Sequence, residues 1–545
     1  MEFGRKITNC RMCDSSNLYE FLDLGFIPPA DGILSKEEIS EPEIFFPLKV
    51  VQCKDCGLTQ LAYAANPEIL YREKYLYESS ITKAGRDHFY EMSNSICRKF
   101  NLQKGSLVVD IGSNVGVLLD GFKKNGMRIL GIDPAPKIAK IANDNGIETW
   151  QEFITPSTAT KIVTIKGKAK IVTGTNVFAH IDDKKGLMES LKIILDENGI
   201  FIMEAPYLVD LIENLEYDTI YIDHLEYISV KPLINFFNKW GMDVFDIEKY
   251  DIHGSSLRIF VCWKEKRKIG GSIQEFLELE KRKEIYKKET LDTFARKVKT
   301  HKLKFTELLR ELKKQDKKVI GISAPAKGNT LLNYCKIDND LISYLTEKSL
   351  IKIGNYTPGM HIPIYGEEKL LEDNPDYGII FAWNFAKEIM KNNEEFLKRG
   401  GKFIIPIPDP IIVENEDLFN VNVKKIEPAH IDERGIISDL LNEKINHVGI
   451  ISTEMEAIRG DHYHKSSIQY SYILSGKFEV LIANANNPNN FKKIILSAGE
   501  LITIPPNVIH TFKAIERAVM VDMISISREG KGYENDVVRV KIKEV

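Results

Sequence analysis

The stretch VVDIGSNVG, residues 108–116, finishes an apolar run that begins at Leu107 and then opens a glycine loop. A buried strand that turns through Gly112 and Gly116 can bring its backbone up to a nucleoside at a helix N-terminus. Asp110 closes the strand and Asn114 lies within the loop. Asp133, which ends RILGID at 128–133, is placed to accept ribose hydroxyl bonds. The spacing D-x-G-x-x-x-G has no three-glycine cradle for a pyrophosphate, which favours S-adenosylmethionine over a dinucleotide. A third element follows at IVTGTN, 171–176, where Asn176 and then His180 fall at the carboxyl edge on which α/β sheets bind ligands. Strand-like runs at 106–112, 128–133, 169–175 and 199–206 alternate with helical patterns. They predict a mostly parallel sheet that closes near Val261.

Outward from this loop the chain has 545 residues, room for three or four domains, and a hydrophobic content of 43% that suits several buried cores. The 74 basic and 78 acidic residues leave a net charge of −4, so there is no electrostatic footprint for nucleic acid and no polybasic membrane anchor. The opening MEFGRKITNCRMC lacks an apolar h-region, and no run is long enough to span a bilayer; the expectation is a cytoplasmic protein.

Four of the seven cysteines form two C-x-x-C pairs, Cys10/Cys13 and Cys53/Cys56. Two such knuckles complete a closed tetrahedral shell, which predicts structural zinc. The gap between the knuckles holds an inserted segment that includes FIPPADG, 26–32. Cys97, Cys262 and Cys335 read as core thiols. The spacing of Leu291, Phe294, Ala295, Val298, Phe305, Leu308, Leu309 and Leu312 predicts one long amphipathic helix. A second α/β unit runs from about 317 to 410. Its SAPAKGN loop, 323–329, lacks Walker spacing, so ATP hydrolysis is not expected, although Lys327 and the backbone amides suit an anion. After Pro410, short strands at turn-rich intervals predict an all-β barrel. Within it His462 and His464 alternate along one strand and share a face, and Gln469 and His510 follow on neighbouring runs.

Residues 1 to about 410 resemble the sugar C-methyltransferases, which methylate C-3 of a nucleotide-linked 4-keto deoxysugar. The motifs that carry the resemblance include both knuckles, YLYESS at 75–80, the glycine loop, NVFAHI at 176–181, DTIYIDHLEY at 218–227, HGSSLR at 253–258 and APAKGNTLLNY at 324–334. Family members have Tyr-His-Glu-His where this chain reads Tyr221-Ile222-Asp223-His224. The resemblance implies His224 as the base that removes a proton beside the ketone, with Tyr221 and His180 stabilising the enolate and Asp223 orienting His224. It implies Tyr75 or Tyr77 closing over the donor or sugar, His253 and Arg258 on phosphates or the donor carboxylate, and Lys327, Asn329 and His361 on the sugar nucleotide.

The last 130 or so residues are similar to sugar-nucleotide cupins, the 3,4-ketoisomerases and 3,5-epimerases, through DERG at 432–435 and RGDHYHK at 459–465. That similarity implies His462 and His464 as proton shuttles and Arg459 as a substrate contact; a divalent ion on His462, His464, Gln469 and His510 is the other reading. The expected organisation is therefore a multidomain α/β protein: a zinc-binding lobe at 1–78, a Rossmann-like S-adenosylmethionine domain at 79–264, a second Rossmann-like domain at 265–412 and a cupin at 413–545. The expected activity is keto-sugar C-methylation joined to isomerisation or epimerisation, with a homodimer through the cupin. The alternative is an altered methylation site beside an active or merely sugar-binding cupin.

Overall fold

The computed structural model describes residues 2–71, 83–250, 255–414, 421–485, 487–527, 532–540 and 542. Its contacts divide the chain into two compact units, Met1–Ile412 and Val413–Val545.

In the first unit a seven-stranded sheet carries the glycine loop. Its order is Met242–Tyr250, Ser256–Trp263, Leu195–Pro206, Ala169–Thr175, Leu107–Ile111, Arg128–Ile132 and Thr149–Trp150. All neighbours pair in parallel except Ser256–Trp263, which runs antiparallel to the strands on both sides. The central strand Leu107–Ile111 is buried on both faces, which is why it reads as a continuous apolar run and does not alternate.

The two cysteine knuckles meet because the insert between them folds as a hairpin. Leu18–Ile27 and Phe46–Cys53 pair antiparallel with Leu18 opposite Cys53 and Ile27 opposite Phe46, so the far ends of a long gap return to one place. The sheet continues through Thr59–Leu61 to Glu226–Tyr227, a short strand contributed by the segment that follows His224.

The long helix is Lys288–Lys314. It buries Leu291, Phe294, Ala295, Val298, Phe305, Leu309 and Leu312, leaves Leu308 only partly buried, and also buries His301. That imidazole is satisfied by the Tyr217 hydroxyl at 2.9 Å and the Pro406 carbonyl at 2.6 Å. The second α/β sheet has parallel strands in the order Ile364–Gly366, Leu345–Glu347, Val319–Ile322, Tyr377–Ile380 and Lys402–Ile405.

The second unit holds two antiparallel five-stranded sheets. One orders Asn422–Lys425, Glu500–Ile504, Gln469–Ser475, Ala518–Ile524 and His447–Thr453; the other orders Asn487–Ser497, Lys477–Asn484, Val508–Ala514, Ile458–His464 and Val537–Arg539. Phe478, Val480, Ile482, Ile502, Ile504 and Phe512 from the two sheets form one apolar core. The α/β domains, the zinc lobe and the all-β barrel are thus those that the motif order predicts. Among the described residues no helix is long and apolar enough to cross a membrane.

Candidate active sites

The zinc centre is the most local of the sites. Cys10 and Cys56 bring their sulfurs to 3.5 Å, as do Cys13 and Cys53, and one ligand atom from each of the four lies within 4.8 Å of every other. Four thiolates at about 2.3 Å from a tetrahedral zinc ion stand about 3.8 Å apart, so the donor set fits.

Around the glycine loop the backbone conformation explains the residue types. Gly112 has φ +65°, and a Cβ there would sit 2.3 Å from Val177 Cγ2. Gly116 has φ +83°, with a Cβ 2.6 Å from Ile147 Cγ2. Both positions need a residue without a side chain. Asp133 binds the loop to the next strand, accepting from Asn114 N at 2.9 Å and Ala135 N at 3.0 Å. Asp110 accepts from Thr173 Oγ1 at 2.6 Å, and burial, with Asp133 nearby, pushes its carboxyl up to about 7. Among the described residues, buried Ser113 Oγ and Asn176 Oδ1 have no hydrogen-bond partner, and Asn176 stands in the left-handed region at φ +55°. A polar ligand at this edge meets unsatisfied groups, so S-adenosylmethionine fits.

Beyond the sheet edge, His180 ends the short turn Phe178–His180, while His224 follows the turn Tyr217–Thr219. Both line one cavity with Asn176, Thr219, Glu226 and Tyr227. Their rings lie 4.9 Å apart, and the Tyr221 ring is 3.9 Å from that of His224. His224 Nδ1 is 2.7 Å from the Thr219 carbonyl, which can only accept; the proton of the neutral ring is therefore on Nδ1 and its lone pair on Nε2. Burial, with His224 and Lys184 close by, holds the His180 imidazole well below its usual range, so it is neutral at physiological pH. Burial, aided by Asp31, raises the Asp223 carboxyl to about 7. Ile222 is 1% exposed and belongs to the apolar core, so the side chain at this position leaves the cavity.

Tyr75, Tyr77 and His253 fall outside the described residues. Among the described residues Tyr71, the first of the tyrosine-rich segment and one that sequence reasoning passed over, also reaches the cluster: its hydroxyl is 3.2 Å from His180 Nδ1 and donates to the Asp223 carbonyl at 3.4 Å. Arg258 is not brought to the cluster. It is 1% exposed, its guanidinium binds Glu204 at 2.9 and 3.0 Å, and Glu204 also meets His88 Nε2 at 2.6 Å. The anion that Arg258 meets is the protein's own, because the register of the two strands sets Arg258 directly opposite Glu204. Lys327 donates to Asn384 Oδ1 at 2.5 Å and lies 4.2 Å above the Trp383 ring, whose N–H reaches Asp218, the neighbour of Thr219, at 2.6 Å. Asn329 donates to the Ala30 carbonyl at 2.5 Å, and His361 Nε2 pairs with Glu43 at 2.5 Å. These two face the zinc-lobe insert.

In the second unit three imidazoles converge, with ring separations of 4.5 Å for His462 and His510, 5.1 Å for His462 and His464, and 5.6 Å for His464 and His510. One ligand atom from each lies within 4.8 Å of the others, close enough to share an ion. Their hydrogen bonds divide them. His464 directs Nδ1 to Asp536 at 3.1 Å and Nε2 to Gln469 Oε1 at 2.9 Å, and Gln469 is oriented by donating to Asp522 at 2.9 Å. Burial opposes ionisation of Asp536, yet hydrogen bonds from Ser467 and Ser466, and His464 beside it, hold the carboxyl at about 2. By contrast, the Nε2 atoms of His462 and His510 are buried without a partner among the described residues. Burial keeps His462 below its usual range and His510 well below it. A metal on the full four-residue set would have to break the bond between His464 and Gln469. Arg459 lies exposed, donating to the Ser452 carbonyl at 3.3 Å.

Comparison with known proteins agrees with this division. Family models match for a zinc-binding domain at residues 10–71, a methyltransferase domain at 85–246, a C-methyltransferase C-terminal domain at 251–408 and a cupin at 441–537. The C-methyltransferase NovU of Streptomyces niveus is 34% identical over 413 residues, covering 76% of this chain and 98% of that protein. Over 22% of its length this chain is similar to a double mutant of the QdtA 3,4-ketoisomerase of Thermoanaerobacterium thermosaccharolyticum in complex with TDP, at 25% identity, 88% of that chain and a TM-score of 0.19. A 3,4-ketoisomerase from Helicobacter canadensis aligns at 21% identity, 22% of this chain, 91% of that chain and a TM-score of 0.20.

Proposed function

Because the chain belongs to the C-methyltransferase family, we propose that its first unit methylates a carbon beside the ketone of a nucleotide-linked 4-keto deoxysugar, and that its cupin isomerises or epimerises such a sugar. The enzyme is an S-adenosylmethionine-dependent methyltransferase with a structural zinc lobe. In this reading the domains are 1–78, 79–264, 265–412 and 413–545.

The observation that carries the first half is the tautomer of His224: a proton held on the Thr219 carbonyl leaves Nε2 as the basic atom at the cavity. Nε2 removes the proton next to the ketone. The Tyr221 hydroxyl stabilises the enolate oxygen, and the neutral His180 joins it when the Tyr71 hydroxyl donates to Nδ1 in place of the Asp223 carbonyl, which puts the His180 proton on Nε2. Tyr71 orients His180, and Asp223, with a carboxyl near 7, holds a proton over much of the working pH range. Asp110, Gly112, Asn114, Gly116, Asp133 and Asn176 hold the cofactor, which supplies an electrophilic methyl group when bound. Lys327 faces the sugar nucleotide, while Asn329 and His361, bonded to Ala30 and Glu43, brace that domain against the zinc-lobe insert.

In the cupin, His462 and His510 each present a neutral, unpartnered Nε2, which favours proton transfer over a metal held by all four residues. His464, tied to Asp536 and Gln469, keeps its neighbours in register. The cupin also pairs with a second copy: His447–Thr453 is an edge strand with Val448 and Ile450 at 59% and 74% exposure, an apolar edge of the kind that seeks a partner. The thiols and the zinc shell suit a reducing cytoplasm.

The test is mass spectrometry of nucleotide 4-keto-6-deoxysugars incubated with the full chain and S-adenosylmethionine in heavy water. A methylated carbon that disappears in His224→Gln supports the first half. Absence of methylation of every sugar in the panel overturns it, and deuterium uptake that persists in His224→Gln leaves the cupin as the working centre.

A further inference from the structure

One buried side chain joins the zinc knuckle to both imidazoles of the first unit. Arg11 stands inside the first knuckle, and its side chain is 3% exposed. Its backbone N–H donates to Gln60 Oε1 at 2.9 Å, its Nε to Asp182 Oδ1 at 2.8 Å and its Nη1 to the Leu61 carbonyl at 2.7 Å. Asp182 lies two residues beyond His180. Leu61 N donates to the Leu225 carbonyl at 2.9 Å, beside His224, and Leu225 N donates to the Ala179 carbonyl at 2.9 Å, beside His180. Hydrogen bonds, joined through the backbone of Leu61 and Leu225, therefore lead from the metal knuckle to the residues that flank each ring.

Lys184 holds the same turn from its other side. Its Nζ donates to the carbonyls of Phe178 at 2.6 Å and Ile181 at 2.5 Å and faces Glu226 Oε2 at 3.1 Å. Glu226 in turn sits opposite Gln60 in the zinc-lobe sheet. The two histidines, which sit 44 positions apart in the chain, are thus set against each other by a strand and a side chain of the zinc lobe.

Resting on the methylation reading above, we propose that Arg11 is a positioning residue of that site. Its planar fork holds the His180 turn against the strand Thr59–Leu61, which in turn bonds the segment after His224, so the knuckle is part of the catalytic scaffold as well as a staple for the fold. A lysine can serve one of these acceptors but cannot hold both in fixed directions. A small misplacement of a base and its oxyanion donors is enough to slow chemistry about a hundredfold.

The experiment compares full-chain wild type with Arg11→Lys and Asp182→Asn, labelled with 15N-histidine, by imidazole correlation spectra, zinc content and steady-state methyl transfer to TDP-4-keto-6-deoxyglucose. His180→Asn and His224→Gln assign the two resonances. In Arg11→Lys, zinc should stay at the wild-type stoichiometry and the His180 and His224 signals should shift. The signals of His462, His464 and His510 should not move, and kcat should fall about 10- to 100-fold with the KM for S-adenosylmethionine within about twofold. Unmoved His180 and His224 signals, or an unchanged kcat, would overturn the proposal. Loss of zinc from Arg11→Lys would overturn it too, since Arg11 would then serve folding alone. If wild type methylates no keto-sugar, the methylation reading fails by itself, and the spectra alone decide whether Arg11 ties the two rings.

Discussion

The two histidine clusters use the same side chain under opposite support. In the first unit His224 rests on a backbone carbonyl, His180 on a tyrosine hydroxyl, and both lie in a cavity walled by apolar core. In the cupin His464 rests on a carboxylate and an amide, while its two neighbours present bare nitrogens to the barrel interior. The first arrangement sets a tautomer and so names one basic atom. The second anchors one ring and leaves two neutral ones whose Nε2 atoms have no partner among the described residues. What distinguishes the clusters is the groups that take the N–H bonds, more than the rings themselves.

The comparison can be broken most forcefully by removing zinc. Chelation, or Cys53→Ser, should unfold the first unit and leave the second folded, because structural zinc contributes about 10–16 kcal/mol in small domains that need it for folding. Calorimetry that shows one transition moving and one staying supports the division; both moving together contradicts it. Next come His224→Gln and His462→Gln. Each should lower its own reaction about 10²- to 10⁴-fold, methyl transfer for the first and deuterium exchange for the second, and spare the other. Loss of both activities in either variant would mean that the two clusters form one catalytic system.

Smaller effects sharpen the picture. Ile222→His places an unpartnered polar ring in an apolar core and should destabilise the first unit by about 1–3 kcal/mol without raising the methylation rate. A faster enzyme would show that this position reaches the cavity after all. Asp536→Asn removes the ionised acceptor of His464, Ser466 and Ser467 and should cost the cupin about 1–3 kcal/mol in chemical unfolding. An unchanged midpoint would show that the anchor is idle.

The pH dependence of the two units should differ in sign. Asp223 and Asp110 hold their protons up to about 7 when folded, above the unfolded carboxyl range, so their contribution is fully present in acid and declines as pH rises from about 4 to about 7. Asp536, held at about 2, contributes above about 4 and loses that contribution as pH falls toward 2. Asp223→Asn should therefore gain on wild type in melting temperature as pH rises from 5 to 7. A constant difference across that range would mean that Asp223 is not so perturbed.

The sequence by itself determined the parts whose signal is local. Two C-x-x-C pairs point two thiolates each at one ion, a D-x-G-x-x-x-G loop needs glycine where φ is positive, and alternating or continuous apolar runs show which strands have one face buried and which have two. Even the convergence of His462 and His464 follows from the two-residue period of a strand. Only the tertiary structure decided which groups those residues meet. It placed Tyr71 on His180, gave the Arg258 guanidinium to Glu204, turned Ile222 into the core and set Asp536, 72 positions away, on His464. It also carried Arg11 across 171 positions to the turn of His180. A residue's type and spacing limit the bonds it can make, but its partner is chosen when distant segments pack, and a local pattern holds no record of that choice.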